Sequence, residues 1–137
     1  MAQILILEDD VLLSQTWTDW LDAAGHGVFA AHTRPAAEVA CAERQFDLII
    51  SDFFIQDHEG KLMQDGAVTF ITHLRSPSPN TLPRWTRTVP IIAITGTPRT
   101  EFFDALDQAR ALGATTTLRK PVSRETLLET VERFHRT

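Results

Sequence analysis

The sequence predicts a doubly wound α/β domain, a five-stranded parallel sheet with helices on both faces. Two observations carry that prediction. Short apolar runs alternate five times with longer stretches patterned at helical spacing, and such alternation gives parallel strands joined by helical crossovers. The apolar runs are apolar throughout rather than at every second residue, as in strands covered on both faces. A chain of 137 residues, 43% hydrophobic and 23% charged, suits one domain with one core.

The first strand is Ile4-Leu5-Ile6-Leu7, ending in Glu8-Asp9-Asp10. Acids here favour a helix start, where carboxylates meet the positive end of the helix dipole. Leu13, Trp17, Leu21 and Ala24 give that helix a buried stripe, and Gly25 stops it. Gly27 to Ala31 is a weaker strand. Thr33 caps an Ala-rich helix that tolerates Pro35 in its first turn and runs to about Arg44. The third strand, Phe46 to Asp52, is a short apolar run bounded by acids, Asp47 and Asp52.

Phe53 to Asp65 reads as irregular. From Gly66 a helix follows, with Ala67, Phe70, Ile71 and Leu74 at i, i+3, i+4 and i+7. Ser76 to Pro90 holds Pro77, Pro79, Pro83 and Pro90, which predicts an extended surface loop. Val89 to Thr95 is the fourth strand. Phe102, Ala105, Leu106, Ala109 and Leu112 stripe the next helix, ended by Gly113. Thr115 to Arg119 is the fifth strand, before Lys120-Pro121. Ser123 caps a last helix carrying Leu127, Leu128, Val131 and Phe134.

The polar strand ends are the chemistry. Glu8 and Asp9 follow strand one, Asp52 ends strand three, Thr95 ends strand four and Lys120 follows strand five. If strand one lies beside strand three, all converge in one crevice at the carboxyl edge, where open α/β sheets bind ligands. That is the flavodoxin-like order 2-1-3-4-5. Two carboxylates about 4 Å apart repel by about 4 kcal/mol at an effective dielectric near 20. A hard divalent cation removes that penalty, and Mg²⁺ suits few carboxylates, several waters and a phosphoryl oxygen. Asp52 could then attack phosphorus and form an acyl phosphate. The cation, the Lys120 ammonium and the Thr95 hydroxyl would neutralise charge on the transferred oxygens.

Four segments, Ile4 to Asp10, Asp47 to Asp52, Ile91 to Gly96 and Leu118 to Pro121, together resemble the signatures of the receiver domain of bacterial two-component response regulators. The resemblance spans essentially the whole chain. It implies Asp52 as phosphoacceptor and Glu8 and Asp9 as Mg²⁺ acids, with the Phe54 backbone carbonyl as a further ligand. It also implies Thr95 as the switch hydroxyl, Lys120 as the phosphate-binding lysine and Pro121 as a cis proline. Asp10 matches a variable position and reads as a helix-start residue. The implied donor is a sensor histidine kinase or phosphotransfer protein. A downstream protein partner reads the change, and a homodimer is compatible with it.

The sequence departs from the family in four places. The stretches about 57–66 and 76–90 are longer than usual, and between Gly60 and Pro90 Lys61, Arg75, Arg84 and Arg87 face Asp65, a local +3. Either the second loop is solvated, with Trp85 covering a sheet edge or helix end, or it docks an acidic partner or second subunit. Thr117 stands where the family carries an aromatic that swings inward on activation, and Phe103 is the replacement reporter or a core residue. Phe54 and Thr97 flank the chemistry at positions that influence hydrolysis. A bulky Phe54 predicts a long-lived acyl phosphate, measured as slower phosphate loss than from Phe54→Asn. Gln56 replaces the usual proline after the acceptor strand.

A net charge of −5 gives no reason to expect binding to nucleic acid or an anionic membrane. One cysteine, Cys41, fits a reducing cytosol as a plain buried thiol. No signal segment or membrane span is evident, so a cytoplasmic protein is expected. His26, His32, His58, His73 and His135 lack metal-ligand spacing and are expected at the surface, only His58 lying near the chemistry. The expected unit is one receiver domain over 1–137 without an output domain, standing alone or cut from a longer transcription regulator or hybrid kinase. A phosphorylation-independent pseudo-receiver would have eroded one of the five polar ends. A flavin protein of the same strand order would need a phosphate-cradling loop where the acids stand.

Overall fold

The computed structural model describes residues 1–53, 55–56, 62–76, 82–96 and 105–135, with the backbone alone at 55–56, 62–68 and 105–106. The main sheet contains β1 (Gln3–Leu7), β2 (Gly27–Ala31), β3 (Leu48–Asp52), β6 (Ile91–Thr95) and β7 (Thr116–Arg119). All its pairings are parallel, in the order β2-β1-β3-β6-β7, which is 2-1-3-4-5 when only its own strands are counted.

Side chains leave alternate faces of a strand, and the sheet's two cores follow that period. Leu5, Leu7, Ile49, Ile91 and Ala93 pack with α2 (Arg34–Glu43), α3 (Gln64–Arg75) and α4 (Ala105–Leu112). Ile4, Ile6, Leu48, Ile50, Ile92 and Ile94 pack with α1 (Val11–Ala23) and α5 (Arg124–Phe134). Cys41 is fully buried on the first face, and burial followed by the Glu38 charge pushes its thiol up to about 12.

Helix ends follow the sequence. Asp10, Thr33 and Ser123 cap α1, α2 and α5, each side chain accepting a backbone N–H in the first turn. Ala24 leaves the predicted stripe and is exposed, because it is already the C-cap. Gly113, at φ +121°, ends α4, and a Cβ there would stand 2.7 Å from Arg75 Cγ. Only glycine fits that turn.

Three expectations are corrected. The stretch after Asp52 is not wholly irregular: β4 (Ile55–Gln56) and β5 (Leu62–Met63) form a short antiparallel ladder, and α3 starts directly after it, at Gln64. The second loop is not simply extended. Arg84–Arg87 form a 3-10 helix, Leu82, Thr86 and Val89 are buried, and Trp85 meets Phe46 edge-on with centroids 6.1 Å apart. Arg75, at the end of α3, donates to the carbonyls of Gly113 and Thr86, and Arg87 to that of Ser76, so these two cations tie the loop's backbone in place.

The third correction concerns the histidines. His26 is buried at 4% exposure, its Nδ1 accepting the Ala2 N–H at 3.0 Å. His135 is half-buried beside it, with ring centroids 6.0 Å apart. His32 and His73 are exposed, as expected. His58, Phe103 and Thr97 lie outside the described residues.

Candidate functional site

The site grows out of sheet register. β3 sits between β1 and β6, with Ser51 opposite Leu7 and Asp52 opposite Ile94, so Asp52 surfaces just beyond the end of β1. There Glu8 and Asp9 leave the strand. On the other flank Thr95 pairs with Arg119, and the Lys120 N–H donates to the Thr95 carbonyl at 2.8 Å. The Lys120–Pro121 peptide bond is cis. Parallel pairing alone therefore brings together residues separated by more than a hundred positions.

Ligand oxygens of Glu8, Asp9 and Asp52 all lie within 4.8 Å of one another. Glu8 is fully buried, Asp52 is 2% exposed and Thr95 1%. The Lys120 ammonium donates to Glu8 Oε1 at 2.6 Å and stands 3.4 Å from Asp52 Oδ1. Glu8 Oε2 accepts the Asp10 N–H at 3.1 Å, so both oxygens of this buried acid are engaged. Behind it, His32 Nδ1 lies 3.0 Å from the Glu8 carbonyl oxygen. Phe54, whose carbonyl was expected to join the metal acids, lies outside the described residues. Thr117 is half-buried in β7 opposite Ala93.

The electrostatics follow from this crowding. Burial, then the Glu8 charge, pushes the Asp52 carboxyl up to about 8, while Lys120 pulls the other way. Burial and a hydrogen bond with Asp9 raise Glu8 against the same opposition from Lys120. Burial alone would lower the Lys120 ammonium, but the charges of Asp52 and Glu8 outweigh it and raise its pKa. Three carboxylates gather beside one ammonium, which pairs with Glu8 and Asp52. A hard, all-oxygen donor set of this kind fits a small divalent cation such as Mg²⁺.

Sequence reasoning missed two contacts here. Trp17, taken as core, also lies beneath the Lys120 ammonium, 5.9 Å from ring centroid to Nζ. His32, set aside as a surface residue, touches the Glu8 backbone. A residue type at helical spacing cannot say which strand end its ring will meet.

Comparison with known proteins agrees with this fold. The chemotaxis response regulator CheY4 of Vibrio cholerae is 28% identical over 98% of both chains, with a TM-score of 0.77. A putative response regulator from Chloroflexus aurantiacus has a TM-score of 0.78 at 22% identity, covering 97% of this chain and 96% of that one. NtrX of Brucella abortus shares the fold at 21% identity and a TM-score of 0.75, across 96% of this chain but 26% of its own. No curated protein matches this sequence significantly. The family model for the response regulator receiver domain matches residues 4–132, and the chain belongs to that family.

Proposed function

We propose that Asp52 is the phosphoacceptor, taking a phosphoryl group from the phosphohistidine of a sensor kinase or phosphotransfer protein. An Asp52 carboxylate oxygen attacks phosphorus, the bond from phosphorus to the imidazole nitrogen breaks, and the departing imidazole takes a proton. Lys120 meets one transferred oxygen with its ammonium and Thr95 another with its hydroxyl. Glu8, Asp9, Asp52 and the Phe54 carbonyl would hold Mg²⁺, which when bound supplies positive charge to the phosphoryl oxygens. Burial and the Glu8 charge push the Asp52 carboxyl up to about 8, so positive charge brought to the site would favour the ionised nucleophile.

The observation that carries this reading is the meeting of three acid oxygens within 4.8 Å beside one ammonium. The added charge then biases helix and strand positions on the sheet's far side, and a protein partner, a second copy included, reads the result. Residues 4–132 would act as one receiver domain, with the cytoplasm as its setting. Among the described residues no helix is long and apolar enough to cross a membrane.

Incubation with Mg²⁺ and acetyl phosphate, followed by intact-mass measurement, tests the proposal. The wild type gains one phosphoryl group. Asp52→Asn gains none, and chelation abolishes the gain. A wild type that stays unmodified leaves an interaction module on a receiver fold.

A further inference from the structure

We propose that Trp17 is a positioning residue that holds the Lys120 ammonium at the phosphoryl site, an inference resting on the role given above to Lys120. Trp17 lies in the middle of α1, wholly buried, on the face that packs with Ile4, Ile6 and Leu127. Lys120 Nζ stands 5.9 Å from its ring centroid, within the range of an attraction between a cation and an aromatic face. The indole Nε1 has no hydrogen-bond partner among the described residues, and neither does Ser14 Oγ one turn earlier.

That orphaned N–H separates positioning from packing. Burying a donor without an acceptor is unfavourable, and leucine or phenylalanine would enter an apolar slot without that cost. What the indole alone adds is the strongest cation-binding face among the side chains. Among the described residues the Lys120 ammonium otherwise meets Glu8 and Asp52, the acids assigned above to the cation and the phosphoryl group. The indole takes neither role, so its contact with the ammonium is independent of theirs.

The test compares wild type, Trp17→Phe and Trp17→Leu by NMR and by phosphoryl uptake from acetyl phosphate with Mg²⁺. In the wild type the Lys120 ε-methylene protons resonate upfield of an ordinary lysine because of the ring current. The shift shrinks in Trp17→Phe and vanishes in Trp17→Leu. Uptake slows about tenfold in Trp17→Leu and only about threefold in Trp17→Phe. A purely structural Trp17 gives instead an ordinary lysine shift in the wild type, or a folded Trp17→Leu that loads at the wild-type rate; either overturns the proposal. Should Trp17→Leu not fold, the wild-type shift and the Trp17→Phe rate decide. If the wild type takes up no phosphoryl group, the role of Asp52 falls, and the lysine shift still reports whether Trp17 holds Lys120.

Discussion

The two ends of the sheet solve opposite problems with the same strands. At the amino end, where β1, β3 and β6 begin, polar groups are met one by one. His26 accepts the Ala2 N–H, Asp47 accepts the Gln3 N–H at 2.8 Å, and Phe46 sits between the rings of Phe29 and Trp85. At the carboxyl end, three acids share one ammonium and two of them have raised pKa values. One end contributes stability, and the other crowds acids whose raised pKa values mark unfavourable charge.

The largest way to break this contrast is at the amino end. Phe46→Ala removes a 2%-exposed ring from between two others and should cost about 3–5 kcal/mol, measured by urea unfolding, with phosphoryl uptake retained in the folded fraction. The carboxyl end should respond with the opposite sign. In chelator at pH 8, Asp52→Asn should raise stability by about 1–3 kcal/mol by relieving repulsion among buried acids. Added Mg²⁺ should stabilise the wild type more than the variant. A destabilised Asp52→Asn would mean that the acids are not strained.

The smallest effect is a pH dependence at His26. Burial lowers its pKa below the usual 6.5, with Glu132 opposing and the N-terminus and His135 assisting. The folded state thus prefers neutral imidazole. The stability this confers is complete above about 6.5 and drains away as pH falls through the lower folded value, by no more than about 1.4 kcal/mol per pH unit. Protonation would also place a proton on Nδ1, which faces the Ala2 N–H. His26→Gln should flatten the unfolding free energy between pH 7 and 5; an unchanged slope would move the titrating group elsewhere.

The carboxyl end was far more legible in the sequence than the amino end. Glu8, Asp9, Asp52, Thr95 and Lys120 each follow an apolar run, and parallel strands carry such residues to one edge whatever the helices do. The helix caps are as local as the runs, so Asp10, Thr33 and Ser123 were readable too. His26 was not. Its burial depends on the chain's first residues and on the end of α5, more than a hundred positions downstream. The pairing of Ile55–Gln56 with Leu62–Met63 was hidden because two-residue strands carry no periodicity.

The lone thiol has a practical bearing on all of these measurements. Cys41 is shut inside the α2 face, and deprotonation is suppressed until about pH 12, so it is a poor nucleophile toward maleimides in the native protein. A second cysteine placed on an exposed helix position would accept a fluorophore or spin label selectively. Distance changes on phosphoryl loading could then be followed without first deleting the natural sulfhydryl.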